Sequence, residues 1–169
     1  MGTKAKSWLK NIFQTALMVL LVSFAVDWWR KPEQPLEFAE QPLILLDGHK
    51  TSLSGMSSER TAIVYFWGSW CGICRHTSPV IQRIHQVGVP VLGVALRSGA
   101  ENEVRDYMRN NGMSFDTVND ADGALSAQWQ VSVTPTIVLI KNGKMVHSTT
   151  GLSSYWGLRG RLWLADWIN

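Results

Sequence analysis

The two cysteines of this 169-residue chain lie within four positions of each other, as Cys71-Gly72-Ile73-Cys74, just after the apolar run Ala62–Trp67. That spacing excludes a scaffold stapled by disulfides, because closing so short a loop barely restricts the unfolded chain. Redox chemistry or metal binding remains. The run AIVYFW is β-branched and aromatic, and is predicted as a strand buried on both faces. A strand that ends near Trp67 and turns into a helix puts Cys71 at the helix N-terminus. Unpaired N–H groups and the positive end of the macrodipole there favour a thiolate. Cys74 follows nearly one turn later, so its sulfur can reach Cys71. This supports a two-step exchange in which Cys71 attacks a substrate disulfide and Cys74 resolves the mixed disulfide. Gly72 leaves space for an approaching substrate backbone.

Metal sites use the same Cys-x-x-Cys spacing, but a structural zinc site normally needs four ligands and no second cysteine pair exists. On a helix His76 points about 200° away from Cys74, so it does not converge with the sulfurs. His49, His85 and His147 show no metal spacing. No metal site and no cofactor is therefore expected, although two thiolates alone suit copper(I). The net charge is only +3 and the basic residues are dispersed, which argues against nucleic acid as a partner.

Charged residues make up 17% of the chain, partly because residues 11–26 carry no formal charge. Sixteen helical residues reach about 24 Å, but residues 8–28 reach about 31 Å and match a hydrocarbon core of about 30 Å. Trp8 at one end and Trp28-Trp29 at the other suit the two interfaces. Lys4, Lys6 and Lys10 place the N-terminus in the cytoplasm, against the weaker counter-bias of Arg30 and Lys31. The expectation is a cytoplasmic basic segment at 1–10 and a single-pass transmembrane anchor at 11–29. The competing reading is a signal peptide cleaved after Ala25, at Ser23-Phe24-Ala25. Both export the rest of the chain. Pro32, Pro35 and Pro42, set among glutamates and glutamines, predict a stiff solvated linker over residues 30–42.

The remaining domain, residues 43–169, is expected to open with a hairpin, 43–46 and 50–53 about Asp47-Gly48. After the cysteines, Val80, Ile81, Ile84 and Val87 recur at helical spacing. A strand over 89–96, a helix over 102–110 ended by Asn111-Gly112, a strand over 115–118 and a short helix over 123–129 come next. Glu101 and Glu103 suit that first helix's N-terminus. Residues 136–141 and 144–149 flank Asn142-Gly143, a strong hairpin signal. Trp156, Trp163, Leu164, Trp167 and Ile168 fall on one stripe of a last helix, expected to pack on the sheet. Trp67 and Trp129 are expected in the core, and Arg75 and His76 in solvent. The order of elements predicts an α/β domain with a mixed central sheet and helices on both faces.

Phe66-Trp67-Gly68-Ser69-Trp70-Cys71-Gly72-Ile73-Cys74, Pro79, Thr134-Pro135-Thr136 and Lys141-Asn142-Gly143 together resemble the thioredoxin superfamily. The likeness is to its membrane-anchored periplasmic branch, which includes TlpA-type proteins and the suppressor-of-copper-sensitivity protein D. It runs from Leu43 to the C-terminus, and the joint pattern is far more specific than the cysteine spacing alone.

The resemblance implies a thioredoxin-like fold, with Cys71 as nucleophile and Cys74 as resolving thiol. It makes Trp70 a substrate-facing aromatic, with Gly72 and Ile73 beside it, and Pro79 a helix kink. Pro135 would be a cis-proline opposite the disulfide, leaving the Thr134 backbone to pair with an extended substrate. Without the family, a trans proline starting an edge strand is the plainer reading. Tyr65 replaces the buried aspartate of cytoplasmic thioredoxins, and Ile73 replaces their proline.

The chain is thus expected to be a protein thiol-disulfide oxidoreductase at the bacterial inner membrane, its catalytic domain in the periplasm, acting on cysteine pairs of substrate proteins. The TlpA-type resemblance favours a reductase fed by a separate membrane redox partner, and a single cysteine pair with no dimerisation signal favours a monomer. The alternatives are a disulfide-donating oxidase and a copper(I)-binding module of copper tolerance.

Overall fold

The computed structural model describes residues 8, 10–15, 17, 18, 21, 22, 32–35 and 37–168. The chain divides into two compact units, residues 1–31 and 32–169. In the first, the described residues are helical and the side chains of Trp8, Phe13, Met18 and Leu21 are exposed. Among the described residues no helix is long and apolar enough to cross a membrane. Much of the span expected over residues 11–29 lies outside the described residues.

The second unit is an α/β domain. Its elements run β1 (Leu43–Ile44), β2 (Lys50–Thr51), α1 (Leu53–Ser57), β3 (Ala62–Trp67), α2 (Cys74–Gln86) and β4 (Val91–Leu96). After these come α3 (Glu101–Asn110), β5 (Asp116–Asp120), α4 (Ala124–Gln128), β6 (Thr136–Lys141), β7 (Lys144–Thr150) and α5 (Tyr155–Ile168). Five strands form one mixed sheet in the order β5-β4-β3-β6-β7. β3 pairs parallel with β4 and antiparallel with β6.

β3 lies at the centre, and all six of its residues are buried. Its period-two alternation sends Ile63, Tyr65 and Trp67 to one core and Val64 and Phe66 to the other. The first core is closed by α2, α3 and α5, the second by α1, Trp129 and the segment around Phe38. Gly93 faces Tyr65 across the β3–β4 pair. A Cβ there would stand 2.6 Å from Thr117 Oγ1 and 2.8 Å from the Phe115 ring, so only glycine lets these strands and rings close up. Asn142 and Gly143, both at positive φ, make the two-residue turn between β6 and β7.

Three expectations are corrected. The first hairpin does not run to Leu53: Ser52 caps α1 by accepting from the Gly55 N–H at 3.2 Å, and Leu53 turns into the core. Residues 32–42 are not a solvated linker. Phe38 is buried against Trp129, ring centroids 5.3 Å apart, and the Glu33 N–H donates to the Trp129 carbonyl. The Gln34 amide also bridges the Gly143 carbonyl and the Met145 N–H, so the domain begins at Pro32.

Finally, the tryptophan stripe of α5 does not pack on the sheet. Leu158, Leu162 and Ala165 are the residues it buries, while Trp156, Trp163 and Trp167 are 79%, 66% and 76% exposed. The smaller aliphatic face allows the helix to approach closely; indoles on that side would hold it off.

Asp166 fastens α5 to the N-terminal end of β3. Its carboxylate accepts from the N–H and hydroxyl of buried Thr61 at 2.8 and 2.6 Å, with Lys141 Nζ at 3.3 Å. Partial burial raises the carboxyl pKa, but the Thr61 and Lys141 contacts outweigh it and hold the group below its ordinary value of 3.8. A folded pKa below the unfolded one contributes stability at neutral pH that is lost as pH falls through the folded value. Asp166→Asn is expected to lose about 1 kcal/mol at pH 7, and the deficit should shrink in acid, as denaturant melts at pH 7 and pH 3 would read.

Candidate active site

β3 delivers the chain at Trp67 into the turn Gly68-Ser69-Trp70, and α2 starts at Cys74. Cys71 and Cys74 form a disulfide, with their Cα atoms 5.3 Å apart. The N–H of Cys74, the first residue of α2, donates to Cys71 Sγ at 3.2 Å. Cys71 thus sits one turn ahead of the helix and acts as the acceptor for its first N–H. Once the bond is reduced, that N–H and the dipole of a 13-residue helix both favour the Cys71 thiolate.

Both cysteines are buried in the first core, Cys71 at 5% and Cys74 at 1% exposure; Trp70, Gly72 and Ile73 beside Cys71 are exposed, and Cys74 lies on the buried face of α2 with Thr77, Ser78 and Ile81. Trp70 is held in place even though it is exposed. Its Nε1 donates to the Leu96 carbonyl at 3.0 Å, and its ring lies over Gly68, where a Cβ would come within 2.6 Å of the indole. A Cβ at Gly72 would meet nothing within 4 Å, so that residue opens to the outside.

The loop after β4 completes the frame. Ser98 Oγ accepts from the Ser69 N–H at 3.0 Å and donates to the Leu96 carbonyl at 3.1 Å. Sequence reasoning passed over Ser98. Its only signal was a serine at the end of a strand, which could equally begin any loop.

The Thr134–Pro135 peptide is cis, as the resemblance implied. β6 starts at Thr136, paired with Phe66 of β3. Thr134 and Pro135 therefore lie at the same sheet end as the cysteine turn. Pro135 is buried and its carbonyl accepts from the Gly151 N–H, while Thr134 is half-exposed.

Tyr65 occupies the place of the thioredoxin aspartate. It is fully buried, and its hydroxyl lies 2.9 Å from Ser78 Oγ, one turn beyond Cys74 on α2. Burial drives the phenol pKa far above its ordinary value, and the Ser78 hydrogen bond offsets this only in part. The phenol is neutral at any physiological pH and cannot take a proton from Cys74 as a carboxylate does.

Arg75 and His76 are exposed. His49 pairs with Asp47 at 2.8 Å, and His85 packs edge-on against Phe115. Among the described residues no three His, Cys, Asp or Glu side chains converge as a metal site.

The model of the AhpC/TSA family matches residues 34–148. The chain is 44% identical to a thioredoxin-like protein of Haemophilus influenzae over 98% of its own length and 99% of that protein's. It is 28% identical to the thiol-disulfide oxidoreductase ResA of Bacillus subtilis, covering 68% of each chain. The crystal structure of StoA from Bacillus subtilis superposes with a TM-score of 0.64, covering 75% of this chain and 98% of that one at 22% identity, a likeness of fold. The enzyme class is that of the oxidoreductases among these relatives. A cysteine pair at the start of α2, a five-stranded mixed sheet and a family match over most of the domain lead to one conclusion: this chain belongs to the AhpC/TSA family, as a thioredoxin-like protein.

Proposed function

We propose that the protein is a periplasmic protein thiol-disulfide reductase, held at the bacterial inner membrane by residues 11–29. The observation that carries the exchange chemistry is the Cys71–Cys74 disulfide itself, with its outer sulfur capping α2 through the Cys74 N–H. In the reducing direction Cys71 thiolate attacks a substrate disulfide. A Cys71–substrate S–S bond forms and the other substrate sulfur leaves as a thiolate. Cys74 thiolate then attacks Cys71 Sγ, closes the internal disulfide and releases the second substrate sulfur. The substrate gains two electrons and the enzyme loses them.

Trp70, Gly72 and Ile73 form the exposed rim that a substrate protein meets, with Thr134 and Pro135 at the same end of the sheet. The chain has no further cysteine, so the two electrons return from a separate protein, which we place in the membrane. A role in copper tolerance follows from the resemblance to the suppressor-of-copper-sensitivity branch.

The test is the reduction potential of the Cys71–Cys74 pair, measured by equilibration with glutathione. A value near about −270 mV, as in thioredoxin, supports the reductase. A value near about −120 mV makes the protein a disulfide donor and overturns the direction. Tight copper(I) binding by a pair that fails to reduce insulin would favour the copper-binding module instead.

A further inference from the structure

We infer that α5 is an interfacial helix, which rests the catalytic domain on an anionic lipid surface through Trp156, Trp163, Leu164 and Trp167. At 100° per residue the three indoles fall within about 40° of one another and roughly opposite Leu158, Leu162 and Ala165, the residues that α5 buries. Gly160 lies on the same outward stripe. Trp163 and Trp167 stack on each other, centroids 6.2 Å apart, and no described residue of the domain covers them. Leu152, just before the helix, is 71% exposed.

Chemistry selects the occupant. Indole is the side chain that prefers the headgroup level of a bilayer, and the exposed Arg159 stands beside Trp163, one turn back on the flank of the stripe. The acid of the helix, Asp166, is drawn to Thr61 and Lys141. Beside Trp163 a cleft of about 380 Å³ opens between α5 and the loop before β4. Arg60, whose guanidinium donates to the Gly88 carbonyl at 2.8 Å, and Arg159 line it together with Val87, Glu59 and Asp166. An exposed stripe of indoles beside an arginine suits the headgroup level of a lipid surface.

The position on the fold gives the contact a consequence. Asp166 marks the N-terminal end of β3, and the cysteines follow its C-terminal end. Six residues of strand separate them by about 20 Å. With the stripe from Trp156 to Trp167 on the lipid, α5 lies along the surface, and the cysteine turn stays at the far end of β3 from Asp166, clear of the Trp167 end of the contact. The inference rests on the membrane location proposed above for the same chain.

The full-length chain, labelled with fluorotryptophan and placed in nanodiscs of phosphatidylcholine with phosphatidylglycerol, tests it by fluorine NMR. Resonances are assigned by single Trp→Phe substitutions, and the lipid headgroups carry a nitroxide. Trp156, Trp163 and Trp167 should broaden, while buried Trp67 and Trp129 stay sharp and report that the domain is folded. The docked population should fall about fivefold when the charge is removed in Arg159→Gln.

Sharp resonances from the stripe beside a broadened Trp8 would overturn the docking while leaving the anchor. The converse would overturn the anchor and keep the docking. Neither broadened would overturn both. A stripe shielded from a water-soluble paramagnetic chelate yet untouched by the lipid nitroxide would mean a protein occupant, and would also overturn it.

Discussion

Cys74→Ser is expected to turn the enzyme into a trap that captures a substrate disulfide and cannot let go. Cys71 keeps the features that activate it: its exposed neighbours, the N–H at position 74 aimed at its sulfur, and the start of α2 beneath it. What disappears is the intramolecular attack on the mixed disulfide. Oriented groups of this kind reach effective molarities of about 10⁵ M or more, so external thiol at millimolar levels should release substrate at least about a thousandfold more slowly. Insulin reduction should drop to the uncatalysed rate, with a mixed disulfide visible by mass spectrometry and reversed by excess dithiol. Cys71→Ser should lose turnover and form no adduct, because Cys74, at 1% exposure, is the deeper of the two and lies on the buried face of α2. An adduct that builds up in Cys71→Ser in preference to Cys74→Ser would exchange the two roles.

Tyr65 bears on the pH dependence of that second step. In a site with a buried carboxylate, the resolving thiol has a nearby base. Here the nearest equivalent is a neutral phenol bound to Ser78. Tyr65→Phe therefore removes a hydrogen bond from the core and leaves the acid-base inventory at neutral pH unchanged.

Much of this site was legible because the cues were local. Ala62–Trp67 is apolar at every position, and only a central strand with two covered faces accommodates that. The cysteine spacing and the strand-to-helix transition then fix where the sulfurs lie. Ser98 was not legible, since its part depends on a loop 29 residues away meeting the Ser69 N–H.

The last helix was misread for a different reason. Its sequence offers two apolar stripes at helical spacing, Leu158-Leu162-Ala165 and Trp156-Trp163-Trp167. Area favours burying the second. Close packing onto β6 and α2 favours the first, and pattern alone does not reveal the distance between helix and sheet. Residues 32–42 failed through averaging. Prolines, glutamates and glutamines set the composition, but single contacts by Phe38 and Gln34 set the structure.

Trp129→Ala is expected to be among the most damaging substitutions outside the cysteine pair. Trp129 has no exposed surface and sits between Phe38, edge-on at 5.3 Å, and Phe66 of β3 at 5.6 Å. Truncation leaves a void that the sheet on one side and the 32–42 segment on the other cannot both collapse into, at a cost of about 3–5 kcal/mol. Phe38→Ala should cost about 3 kcal/mol by the same argument. The two losses should not add: the edge-to-face pair contributes about 0.5–1.5 kcal/mol beyond area burial, and it disappears in either single variant. Urea melts of the two single variants and the double variant give that coupling. Full additivity, or a Phe38→Ala variant as stable as the parent, would return residues 32–42 to the status of a linker. A coupling of the expected size makes the segment a structural part of the domain, the piece that closes the second core over Trp129.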